Sequence, residues 1–272
     1  MEWCDSTWNP VVGCLHKCEY CYARRIAERF KTPGVIVGEN VVGMAIDKPF
    51  KDKFGRSQAY PFGFIPTLHS YRLEGPQRLK SPRTIFVCSM ADLFGDWVAD
   101  EWIETVFDAC AKAPQHRSLF LTQNPARYIE LHEKGLLPMD ENYWYGSTVT
   151  DGEKPMFSAM DFNCFLSIEP ILGEFGFLSK HALPDMKWVI LGTETGNRKG
   201  KVVPERSWIE EVIRWAKASG TAVFMKDSLI PIVGEENMLR EFPWEAETVE
   251  KVENEDAVAP NKLNCAGASA VE

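Results

Sequence analysis

Three thiols crowd into eight residues near the N-terminus: Cys14, Cys18 and Cys21, in the run GCLHKCEYCYA, spaced C-x3-C-x2-C. Thiolates bind soft metals, so zinc or iron–sulfur ligation is the chemistry to expect. A structural zinc site needs four ligands, and Cys4 or His16 offers a fourth. Against this, such sites usually combine two C-x2-C-type couples across a longer spacer, and no second couple follows here. A cubane [4Fe–4S] cluster has four irons. Three thiolates on one tight loop hold three of them and leave the fourth open to a small molecule. Cys88, Cys110 and Cys164 lie in apolar runs and read as small buried hydrophobes.

The elements that must position this loop follow from apolar periodicity. EYCYARRIAERF repeats Tyr22, Ile26 and Phe30, with Ala23 and Ala27 alongside, which is helical spacing. Residues 35–82 are rich in Gly, Pro, aromatic and basic residues and read as an irregular insertion. From residue 83 short apolar runs alternate with amphipathic ones. RTIFVCSM, RSLFLTQN, YWYGSTVT, NCFLSIEP, KWVILGTETG and TAVFMKD predict strands. DEWIETVFDACAKA, PARYIELHEKG and ERSWIEEVIRWAKASG predict helices, the first with Trp102, Ile103, Val106, Phe107 and Cys110 on one face. With a strand before Cys14 there are about seven strands. Alternation of this kind predicts an α/β fold with parallel strands, a complete or partial (β/α) barrel over residues 1–243. Residues 244–272 lose the apolar rhythm and read as an acidic, flexible tail.

Polar residues recur where the predicted strands end: Ser89 and Asp92, Thr122 to Asn124, Ser147 to Thr150, Glu169, Thr193 and Glu194, Lys226 and Asp227. In a parallel barrel these ends converge on one mouth, where chemistry takes place. A carboxylate at Glu169, after a strongly apolar strand, calls for a partner. Lys226 across the mouth is the candidate, either as a structural ion pair or for substrate contact. Gln123 and Asn124 suit hydrogen bonding to a polar substrate, and Asn124 equally suits a helix start. Gly192 opens the Gly-flanked turn LGTETG, which permits close backbone approach to a ligand.

The chain of 272 residues carries a net charge of −9, unevenly spread. Residues 1–90 hold 13 Lys+Arg against 8 Asp+Glu, so the part nearest the cysteines is mildly basic. That balance suits either a phosphate-bearing partner or an ordinary solvated surface. No run of eighteen apolar residues occurs and the N-terminus MEWCDSTWNP lacks a signal-peptide pattern, so a cytoplasmic protein without membrane contact is expected.

C-x3-C-x2-C with an aromatic residue, Tyr20, before the last cysteine resembles the radical S-adenosylmethionine (SAM) superfamily. The wording is closer still: EWCDSTWNPVVGC, CYA, IFVCSMADLFGDWV, FLTQNPARY, LSIEPILG and WVILGTETG run in order and together resemble a phage-associated radical-SAM-like family of unknown function. The resemblance implies a [4Fe–4S] cluster on Cys14, Cys18 and Cys21. It implies SAM chelating the open iron, reductive cleavage to a 5′-deoxyadenosyl radical, and a low-potential donor of flavodoxin or ferredoxin type. Tyr20 would pack on the adenine. Ser89, Met90 and Asp92 would meet the SAM amino group, and Ser147 and Thr148 the ribose. Gly192, Thr193 and Glu194 would border the cofactor. Glu169 and Lys226 are candidates for the catalytic role, and a nucleotide or nucleic acid is the first substrate expected. The alternative is a zinc-stabilised nucleic-acid-binding or adaptor module without catalysis.

Overall fold

The computed structural model describes residues 1–38, 41–176 and 185–245. Its frame is a seven-stranded sheet of β1 (Ser6–Trp8), β5 (Thr84–Val87), β6 (Arg117–Thr122), β7 (Tyr143–Thr148), β8 (Asn163–Ile168), β9 (Met186–Leu191) and β10 (Ala222–Met225). They lie side by side in that order, every pair parallel. The strands are apolar on both faces because both are covered. Ile85, Val87, Phe120, Tyr145, Leu166, Val189 and Val223 face the helices. Phe86, Leu119, Trp144, Phe165, Trp188 and Phe224, on the alternate positions, form the inner face.

The inner residues meet one another because the sheet curls. Trp3, ahead of β1, lies 4.8 Å from Phe86 on β5 and 6.2 Å from Trp188 on β9, ring centroid to centroid. β1 and β10 do not pair, so the fold is a partial barrel, and the N-terminal residues bridge its gap. Glu2 accepts the Asp227 N–H at 2.6 Å and pairs with Arg240. At the N-terminal ends of the strands Phe242 and Trp244 close the interior against Trp188, at 5.8 and 5.1 Å. Midway along β7 the interior requires Gly146: a Cβ on it would meet the Phe165 ring at 2.3 Å.

The helices have local causes. α2 (Asp100–Ala111) places Asp100 and Glu101 in its first turn, complementing the helix dipole, and buries Ile103, Val106, Phe107 and Cys110. Trp102 of the predicted face is only partly covered, its ring against Gly43. α3 (Ala126–Glu133) follows Pro125, and α4 (Arg206–Ser219) ends on Gly220 in the left-handed conformation. α1 (Tyr22–Arg29) reverses the face its large residues suggest. It buries Ala23 and Ala27, whereas Tyr22, Ile26 and Phe30 are 41%, 38% and 55% exposed. Its inner side, Ala23 and Ala27, packs on Val12, Cys14, Phe64 and Met90.

Within residues 35–82 the chain forms β3 (Met44–Ile46) and β4 (Thr67–His69), which join β2 (Val11–Val12) in a small sheet ordered β2-β4-β3. That sheet carries the segment 64–66 beneath the cysteine loop. The acidic stretch expected as a tail lies, from residue 246 onward, outside the described residues, as does Cys265.

Candidate functional site

The cysteine loop leaves β2 through Gly13, whose N–H bonds the Met90 carbonyl at 2.8 Å. Gly13 has φ +97°, and a Cβ there would stand 2.4 Å from the backbone of Ile65. No side chain fits, and the loop is pressed against the floor below it. The Cys14 N–H then bonds Phe64 O, so the Gly13 and Cys14 amides are engaged away from the loop's interior. Cys14 is buried, and burial pushes its thiol up to about 12. Cys21 caps α1, its sulfur accepting the Arg24 N–H at 3.3 Å. Arg24 returns to Cys14 O and lies over Phe64.

One cavity of about 350 Å³ opens at the C-terminal ends of the strands and is bordered by all three cysteines, a size usual for small-molecule sites. Its floor is aromatic and apolar, with Trp3, Phe86 and Leu121. Of the residues predicted for the site, Tyr20, Ser89, Asp92, Gln123, Thr148, Glu169, Thr193, Glu194 and Lys226 line it. Four are placed elsewhere. Ser147 faces the helix layer and accepts the Phe157 N–H at 2.8 Å, because successive residues of β7 alternate faces. Met90 lies in the cluster beneath the loop. Asn124 bonds Phe94 O and Asp96. Gly192 lies under the Glu169–Lys226 pair, where an added Cβ would come 3.0 Å from the Lys226 chain.

Asp92 is the joint between loop and sheet. One carboxylate oxygen accepts from Thr122 Oγ1 at 2.7 Å and the Phe94 N–H at 3.0 Å. The other accepts from the Gln123 N–H at 2.9 Å and lies 2.8 Å from His16 Nε2. With both oxygens doubly engaged, its capacity is spent on the protein. Ser89 donates to Asn9 Oδ1 and its carbonyl accepts from Tyr22. Glu169 and Lys226 form an ion pair at the mouth. Glu194 is held by Arg198 through two bonds of 2.7 Å, and that guanidinium keeps its carboxyl below the usual range.

Sequence reasoning assigned Gln123 to substrate. In the structure its carboxamide lies against Cys18 Sγ, the nitrogen at 3.1 Å and the oxygen, which can accept from the thiol, at 3.4 Å; with the sulfur as thiolate only the N–H to sulfur bond remains, and it would tune a bound metal. Lys17, Tyr22, Arg24, Ser167 and Thr195 also border the cavity. The inward position of Ser167 on its strand was the one available signal among them.

The donor set fits a cluster held at three corners. Both candidates for a fourth zinc ligand are engaged elsewhere. Cys4 packs against the inner aromatic cluster, outside the cavity lining. His16 is bound to Asp92 and stands edge-on to Trp97.

A family model described as "Protein of unknown function (DUF5131)" matches residues 1–229. Among curated proteins none matches. Among solved structures, spore photoproduct lyase complexed with dinucleoside spore photoproduct is similar over 81% of this chain and 76% of that chain, at 11% identity and a TM-score of 0.49.

Proposed function

The chain belongs to the DUF5131 family, and from that premise we propose that it is a radical SAM enzyme carrying one [4Fe–4S] cluster. One observation carries the reading: three cysteines of a single short loop border one cavity at the C-terminal mouth of a parallel sheet, and among the described residues no other cysteine lines it. Cys14, Cys18 and Cys21 would hold the cluster. When bound and reduced by a low-potential flavodoxin- or ferredoxin-type donor, it supplies the electron that cleaves SAM and starts hydrogen abstraction.

The chain's own residues do the rest. Tyr20, whose hydroxyl is driven upward by burial and so stays neutral, offers its ring as a wall for the adenine. Thr148 would offer its hydroxyl to the polar parts of SAM, and Ser89 and Thr193, whose hydroxyls already donate to Asn9 Oδ1 and the Ser228 carbonyl, would meet it as acceptors, from three separate strand ends. Asp92 acts through position: it ties His16 on the loop to β6 and holds the loop over the cavity. Gln123 donates toward the Cys18 sulfur and adjusts its electron density. The Glu169–Lys226 pair faces the same space, so a polar substrate would meet a cation and an anion side by side. The apolar floor excludes water from below.

Anaerobic reconstitution with iron and sulfide tests the proposal. The expected product is brown, absorbs broadly near ~400 nm and holds about four irons per chain. Cys14→Ala loses the iron, while Cys4→Ala keeps it. Dithionite reduction with SAM yields 5′-deoxyadenosine. A colourless protein that binds one zinc and releases it on Cys4→Ala refutes the proposal in favour of a zinc-stabilised module. A cluster that forms but never cleaves SAM refutes the enzyme and leaves electron transfer.

A further inference from the structure

The outward face of α1 breaks the usual rule for an amphipathic helix. Its small residues are buried and its large apolar ones are in solvent. Tyr22, Ile26 and Phe30 recur at i, i+4 and i+8, so they form one stripe, and Arg25 and Arg29 stand beside it. The stripe begins at the cavity. Tyr22 lines the cavity, and its hydroxyl bonds the Ser89 carbonyl at 2.8 Å. Arg25 reaches the carbonyl of Thr195 on the opposite rim, at 3.5 Å. At the far end the Arg29 guanidinium lies over the Phe30 ring at 5.5 Å. Just past the helix Lys31 forms a backbone bridge with Tyr60, which follows the hairpin of residues 50–58. The hairpin tip repeats the chemistry: Phe54, 69% exposed, has Lys53 and Arg56 each 5.0 Å from its ring centroid.

We propose that this face is the docking surface for a single-stranded nucleic acid, whose bases stack on Tyr22 and Phe30 while its phosphates run along Arg25, Arg29 and Lys31. Aromatic rings spaced among cations are the pattern of sequence-tolerant single-strand binding. Charge complementarity supports the choice: residues 17–56 carry nine Lys+Arg against five Asp+Glu in a chain of net charge −9. Of those acids, Glu28 accepts the Phe64 N–H and Asp52 is bound by Arg56. A strand lying along α1 would bring a base to the mouth beside Cys21. The role of that base as substrate rests on the radical SAM reading; the binding surface does not.

The test is fluorescence anisotropy of the full chain with a labelled 12-nucleotide single-stranded DNA, run before and after cluster reconstitution. Binding is expected in both states and to be stronger than to the matching duplex. Three phosphate contacts predict a loss of about twentyfold in affinity between 50 and 200 mM salt. Phe30→Ala, at an exposed position, should weaken binding about fivefold or more. Arg25→Glu with Arg29→Glu should abolish it, while Lys217→Glu on α4 leaves it unchanged. Absence of binding at 50 mM salt overturns the proposal. So does binding indifferent to both sets of α1 variants. If these variants spare nucleic-acid binding but slow reduction by an acidic flavodoxin, the face belongs to a protein donor and the proposal is equally overturned. Since binding is read without cluster, failure here leaves the 5′-deoxyadenosine assay to stand or fall separately.

Discussion

Replacing Asp92 with Asn changes one oxygen to an amide nitrogen at a site where four donors converge. The carboxylate accepts from Thr122 Oγ1 and Phe94 N on one oxygen, and from Gln123 N and His16 Nε2 on the other. Asn can point its amide nitrogen either way. Toward Gln123 and His16, the imidazole can change tautomer and accept, but the Gln123 N–H loses its acceptor. Toward Thr122 and Phe94, the hydroxyl can rotate and accept, but the Phe94 N–H loses its acceptor. Each orientation thus strands one backbone donor in a region where Asp92 itself is only 5% exposed. A buried unsatisfied N–H costs about 1–3 kcal/mol, and the remaining bonds lose their charge assistance. The expected loss is about 2–4 kcal/mol, which for a chain of this size lowers Tm by about 5–15 °C. Differential scanning calorimetry of the metal-free protein measures it, and iron content after reconstitution should fall with it because the loop loses its joint to the sheet. A D92N protein melting within about 2 °C of the wild type, with full iron, would refute this account of the site.

Gly13→Ala should be at least as damaging, about 2 kcal/mol or more, because a positive φ and a backbone collision act together; urea unfolding checks the stability and iron binding the effect on Cys14. Burial drives the His69 imidazole down from 6.5 to about 3. Between those values the unfolded chain holds the extra proton, so stability is complete above 6.5 and falls as pH drops. One unit below 6.5 the loss is about 1.4 kcal/mol, and the pH dependence of Tm from 7.5 to 5.5 should flatten in His69→Gln. A flat wild-type profile would contradict it. For the ion pair at the mouth, a double-mutant cycle of Glu169→Gln and Lys226→Met should return a coupling of about 1 kcal/mol in stability. Additive losses would mean the pair does not hold in solution.

Much of the frame was legible because it depends on neighbours in sequence. Strands such as FLTQN and ILGTE are short apolar runs closed by polar residues, and in a parallel sheet the ends of such runs share one edge. The seven strands, their parallel order and the convergence of Thr122, Glu169, Thr193 and Lys226 on one mouth follow from that. The face of α1 was not legible. Periodicity places Tyr22, Ile26 and Phe30 together but carries no information on which face meets the rest of the chain, and it is Ala23 and Ala27 that pack on Val12 and Phe64. Ser147 and Thr148 show the same limit at one residue's scale, since which of two adjacent residues faces inward is decided by register.

The sequence by itself determined the grouping of the three thiols, because residues on one loop need no distant part of the chain to be neighbours. It determined the α/β alternation for the same local reason. Only the tertiary structure decided what surrounds the trio: Cys4 withdrawn into the aromatic interior, His16 and Gln123 drawn in by Asp92 and Cys18, and the exposed stripe leading away from the cavity. Those placements join residues tens of positions apart, and the curl of the sheet and the close packing beneath Gly13 bring them together.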